Sequence, residues 1–81
     1  MSILRMPSVK KETGHKSHAS VYTGVKAGTF TRPVRIGQRA VGWPSDEVHA
    51  INAARIAGQS DEQIKALVIR LHAKRAEMAV T

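Results

Sequence analysis

Three arginines, Arg32, Arg35 and Arg39, crowd into the stretch TRPVRIGQRAVGW at residues 31–43, interleaved with apolar side chains and with Gln38 at a glycine-bearing corner. A guanidinium is permanently charged and presents a planar fork of N–H donors, which suits it to phosphate. Upstream, Lys16 precedes the small or polar residues Ser17, His18, Ala19, Ser20 and Thr23, and Lys26 follows them. If this run opens a helix, its free N–H groups and its flanking lysines can meet phosphates, while hydroxyl and imidazole groups can reach base edges. Backbone contacts supply affinity and register; base-edge contacts supply the choice of sequence. The plainer reading of the wing arginines is protection of an edge strand by charge.

Other chemistry finds no constellation. His15, His49 and His72 lack ligand spacing for a metal. The acid pairs Asp46-Glu47 and Asp61-Glu62 fall where a helix's first turn favours carboxylates. No Ser-His-Asp set or phosphate loop stands out. The expectation is therefore no enzyme, no metal, no cofactor and no small-molecule substrate. Tyr22 is open between a hydroxyl contact to phosphate and a cover over a helix junction. Trp43 is expected in the core.

The charge is segregated. The net charge is +7 over 81 residues. Residues 1–43 carry eight basic side chains (Arg5, Lys10, Lys11, Lys16, Lys26, Arg32, Arg35, Arg39) against the acid Glu12, while residues 44–81 carry five bases and five acids. A basic half beside a neutral half is the footprint of a polyanion-binding face. RNA is the weaker alternative, because aromatic residues for stacking are few. With no cysteine, the chain has neither disulfides nor zinc-finger spacings and fits a reducing compartment. No apolar run is long enough to span a bilayer, and MSILRMPSVKK has too short an apolar core for a signal peptide. A cytoplasmic protein with no membrane contact is expected.

These side chains need elements to hold them. MPSVKKETG reads as a first helix, with Pro7 at its start, Gly14 at its stop and Val9 inward, meeting Ile3 and Leu4. After a short turn, Ser17 caps a second helix, SHASVYTGVKAG, with Val21 and Val25 on one face and Gly24 as an interior weak point. A hairpin follows. Val34, Ile36, Val41 and Trp43 are placed on its core side, Arg35 outward, and Gly37-Gln38-Arg39 at the corner. Ser45 is expected to cap a third helix that contains Val48 and Ile51 and closes at Gly58. SDEQIKALVIRLHAKRAEM is the strongest helix, with capping-box spacing at Ser60 and Gln63 and a stripe of Ile64, Leu67, Val68, Leu71 and Met78. Its second face, Ala66, Ile69, Ala73 and Ala76, suits packing or self-association.

The order helix, turn, helix, charged hairpin is that of a winged helix-turn-helix, whose second helix enters the major groove. The segments ILRMPSVKKETG, SVYTGVKAGTFTRPVRIG and AVGWPSDEV resemble the AlpA family of prophage regulators, over about residues 3 to 56. That resemblance implies a winged helix-turn-helix related to phage excisionases and MerR-type domains. It also implies a double-stranded-DNA-binding protein of a mobile element, either a transcription regulator (for example of an integrase gene) or a recombination directionality factor. Family members usually carry Ser-Arg-Ser-Thr-(Ile/Val)-Tyr-Arg through the recognition helix. Here His18, Ala19 and Ser20 precede Val21-Tyr22, and Thr23 stands in place of the last arginine. Two family arginines are thus absent, which implies altered base readout with a larger share for Lys16, Lys26 and the wing.

The expectation is a mainly α protein with a small β-hairpin: a winged helix-turn-helix over 1–58 and an amphipathic helix over 59–81 that packs on it or forms an interface. Lys16, Ser17, His18, Ala19, Ser20, Tyr22, Thr23, Lys26, Arg32, Arg35, Gln38 and Arg39 are the expected DNA-binding residues. The alternative is a protein-interaction module that inhibits another regulator or recruits an integrase through its last helix.

Overall fold

In the computed structural model, residues 2–80 are described, Ala79 and Val80 by backbone alone. The helical segment expected over 59–81 therefore runs one residue past the described chain, and Met1 also lies outside it. The element order is β1 (Ile3–Leu4), α1 (Met6–Thr13), α2 (His18–Ala27), β2 (Val34–Arg35), β3 (Val41–Pro44), α3 (Ser45–Ile56) and α4 (Asp61–Val80). The winged helix-turn-helix architecture and the added C-terminal helix are as the sequence implies.

Local chemistry accounts for most boundaries. Pro7 lies in the first turn of α1, and Gly14 ends it at φ 77°. The Ser17 hydroxyl accepts from the Ser20 N–H at 3.1 Å, and Gly28 stops α2 at φ 85°. At α4 the capping box closes in both directions: Gln63 N–H donates to Ser60 Oγ at 3.2 Å and Ser60 N–H to Gln63 Oε1 at 2.9 Å. At Gly24 a Cβ would meet Phe30 Cβ at 3.4 Å, an ordinary contact, so packing alone does not require glycine there.

Three expectations change: the sheet has a third strand, Arg35 lies on the face of Trp43 while Val34 and Ile36 lie on the other, and Ser45 is not a cap. The hairpin is part of a three-stranded antiparallel sheet of order β1-β3-β2. Pairing of Leu4 with Trp43, and of Arg35 with Val41, puts these four residues on one face. Val34 pairs with Gly42 and takes the opposite face. Ile36 reaches across Gly42 toward Ile3, and the two keep 45% and 43% of their surface exposed. Ile36 is therefore not a core residue. Nor does Ser45 cap α3: Pro44 holds the cap position, and buried Ser45 accepts from the Ser2 N–H at 2.9 Å.

Val9, Val21, Phe30, Trp43, Val48, Ile51, Ala54, Ile64 and Val68 form one core, flanked by Leu4, Met6, Val25, Leu67 and Leu71. Helix α4 supplies Ile64 and Val68 to it. Met78, placed on the same stripe from sequence, is half-exposed beside Leu71 in a shallow cleft.

Gly42 permits the close approach of β1. A Cβ at this position would lie 2.9 Å from the Leu4 carbonyl oxygen and overlap Ile3. Gly42→Ala is expected to lose about 2 kcal/mol, as overpacking does. For a chain this size that lowers Tm by roughly 10 °C. An unchanged melting curve would show that β1 does not bear on the sheet.

Candidate nucleic-acid interface

The turn before α2 is held by its own side chains. Thr13 Oγ1 donates to Val9 O at 2.7 Å, so its contact with His15 Nδ1 at 2.6 Å is one in which the imidazole donates. His15 is thus fixed, with its ring 6.5 Å from that of Phe30. Beyond it, Lys16, Ser17, His18, Ala19, Ser20, Tyr22, Thr23 and Lys26 are all exposed, while Val21 between them is fully buried. One side of α2 anchors the helix and the rest presents its small polar and basic groups outward.

Not all of these groups are equally free. Thr23 Oγ1 donates to Ala19 O at 2.8 Å, leaving only its lone pairs to an incoming donor. Ser17 already accepts the Ser20 N–H, and its own hydroxyl proton is still available. Tyr22 keeps 41% of its surface exposed, yet its ring lies 6.0 Å from Trp43. It therefore covers the junction while part of its surface stays exposed.

Trp43 joins helix and wing. It is fully buried, packs 5.9 Å from Phe30, and donates Nε1–H to Thr31 O at 2.7 Å. The wing corner closes through Ile36 N–H to Ala40 O at 3.0 Å. Arg35, Gln38 and Arg39 are exposed there. Because Arg35 shares the sheet face of Val41 and Trp43, it leaves the wing on the side that carries α2.

Arg32 differs from the other two arginines. Its side chain is exposed, but its backbone is gripped by α4: its N–H donates to His72 Nε2 at 3.1 Å, and its carbonyl accepts from Arg75 Nη2 at 2.7 Å. Arg75 in turn donates Nε–H to Glu47 Oε2 at 2.6 Å and a second bond to Oε1, a bidentate pair with a buried carboxylate. Placing an acid in the first turn of α3 was expected on dipole grounds; the structure adds that Glu47 is turned inward onto Arg75. Sequence reading missed His72, Arg75 and Glu47, and no local pattern marks them.

Burial, followed by the positive charges of Arg32 and Arg75, lowers the pKa of His72 below its ordinary 6.5, against an opposing pull from Glu47. Below pH 6.5 the unfolded chain takes up a proton at this site that the folded chain resists. Stability should therefore fall on acidification from that point until the folded state's own pKa is passed. Tm measured against pH is expected to show this decline, and His72→Gln to flatten it. A decline of equal size in the variant would assign it to other groups.

Among the described residues no cluster of His, Cys, Asp or Glu is arranged to hold a metal ion, and no helix is long and apolar enough to cross a membrane. The sequence profile of the family described as Prophage CP4-57 regulatory protein (AlpA) matches residues 2–55. Neither the curated proteins nor the solved structures gave a match.

Proposed function

The chain belongs to the AlpA family of prophage regulatory proteins, and from that premise we propose that it binds double-stranded DNA as a regulator encoded by a mobile element. Helix α2 enters the major groove with Ser17, His18, Ala19, Ser20 and Thr23 toward base edges, while Lys16, Lys26 and Tyr22 meet the flanking backbone. The wing adds Arg35, Gln38 and Arg39 on phosphate, and Arg32 contributes at its base. The DNA-binding unit is assigned to 1–58, with the helix that follows packed against it through Ile64 and Val68. The observation that carries this reading is the exposure of the small polar and basic groups of α2 together with Arg35, which leaves the sheet on the face whose Trp43 meets Tyr22 of α2.

The biological roles this supports are transcription control, for example of an integrase gene, and direction of excision by bending attachment-site DNA. Selection of duplexes from a random library tests the reading. An enriched motif is the expected result, and its symmetry reports how many copies bind. Failure of any motif to emerge, with binding only at low salt, would overturn sequence-preferring regulation. A bend centred on the motif, seen by gel mobility of permuted fragments, selects excision over simple promoter control.

A second reading is favoured by the outer face of α4, where Ile69 is 69% exposed beside exposed Ala66, Ala73 and Ala76. Here α4 docks a second copy or an integrase. Truncation at Gly58 does not test this, because it removes Ile64 and Val68 from the core. Ile69→Lys tests the contact between copies: loss of self-association in sedimentation with an unchanged Tm supports it, and unchanged association removes this face from that contact.

A further inference from the structure

The connector between α2 and the wing has no regular structure over residues 29–33, and Pro33 has no N–H to give. Its backbone is held instead by side chains from elsewhere. Trp43 takes the Thr31 carbonyl, His72 takes the Arg32 N–H and Arg75 takes the Arg32 carbonyl. Two of these three grips come from α4, which begins after the family profile ends at residue 55. The grip is itself braced, since Arg75 is locked by both carboxylate oxygens of buried Glu47 at the start of α3.

We infer that His72 and Arg75 are positioning residues for the wing: by holding both backbone polar groups of Arg32, α4 fixes the direction in which Arg35 and Arg39 leave the protein. This inference rests on the DNA-binding reading above for its consequence in affinity, but not for its consequence in wing order. Arg35 follows Arg32 by three positions, through Pro33, so releasing Arg32 loosens the entry of the wing at β2, the edge strand held only by β3. The loss is one of orientation. An arginine on a loosened strand still carries its charge but must be ordered anew on each binding event.

The test uses His72→Phe, which keeps a ring but removes the acceptor, and His72→Gln, which restores an acceptor oxygen. Arg75→Lys is the second route: it keeps a cation beside Glu47 but lacks the fork that reaches Arg32. Two quantities are read, amide exchange of Arg32 and Ile36 in the free protein, and affinity for a duplex of random sequence. His72→Phe should speed Arg32 exchange by about tenfold or more and Ile36 exchange with it, as local release does. Affinity should fall by roughly threefold to tenfold, the reach of one hydrogen bond. His72→Gln should recover most of both. In an Arg35→Ala/Arg39→Ala background, His72→Phe should cost less than about twofold further, because the coupling runs through the wing.

An equal loss of affinity in both backgrounds would overturn the inference, since the effect would then be on the whole fold. So would released Arg32 exchange with Ile36 exchange and affinity unmoved. If His72→Phe does not fold, Arg75→Lys decides by the same two readouts. If the native chain binds no duplex, the DNA-binding reading fails, and wing exchange alone then supports or overturns the positioning role.

Discussion

Replacing Arg35 and Arg39 together with alanine is expected to weaken duplex binding about 30-fold near 0.1 M salt, if each charged contact is worth roughly 1 kcal/mol net. The native protein, neutralising about four to six phosphates, should show log affinity falling with log salt at a slope near −4 to −5. The double variant should be shallower by about two, since each lost phosphate contact removes close to 0.9 from the slope. Both side chains are exposed, so the substitution leaves the core intact and stability should hardly move. Titration at four or five salt concentrations separates the two readings of these arginines. An unchanged slope means that they only guard a sheet edge.

The largest stability effect is expected at Trp43. Its ring is fully buried against Phe30 and Tyr22, and its Nε1–H satisfies the Thr31 carbonyl. Trp43→Ala should cost about 3–5 kcal/mol through lost burial and the cavity left behind. A chain of this length has about 4–12 kcal/mol in total, so the variant loses about a quarter or more of it and its Tm should fall by at least roughly 12 °C. Trp43→Phe keeps most of the volume but leaves the Thr31 carbonyl without its donor, a cost of about 1–3 kcal/mol. In the phenylalanine variant, chemical denaturation should still be cooperative but with an earlier midpoint. A native-like midpoint for Trp43→Ala would show that helix and wing are joined by something other than this ring.

Much of this fold is written locally. Ser17, Gly14, Gly28 and the Ser60/Gln63 pair each act on neighbours within one turn, so their type and spacing suffice to place helix boundaries. The core stripe of α4 from Ile64 to Leu71 is legible for the same reason. What escapes is whatever depends on a distant partner. Strand β1 is two residues long, too short for an alternating pattern, and exists only because β3 pairs with it. Ile36 has the right period for a core position, but the Arg35–Val41 register, one residue off that expectation, puts it over Gly42 on the outer face. Ser45 precedes two acids as a cap would, yet its hydroxyl is claimed by Ser2, 43 positions away.

The site divides along the same line. The exposed run on α2 and the wing arginines announce themselves by charge segregation and by their neighbours. Their relative placement does not. It depends on Trp43 against Tyr22, on the Arg35–Val41 register, and on His72 and Arg75 reaching Arg32 across 40 and 43 positions. Glu47 illustrates the limit. An acid in a first turn has a sufficient local explanation, and nothing nearby signals that it turns inward onto Arg75.

The most direct test of DNA recognition through α2 and the wing is backbone amide mapping by NMR as a selected duplex is added. The largest shifts are expected to cluster at Lys16–Thr23 and Arg35–Arg39, with smaller ones at Lys26 and Arg32. Shifts confined to the outer face of α4 around Ile69, or no shifts at saturating duplex, would contradict recognition through α2 and the wing.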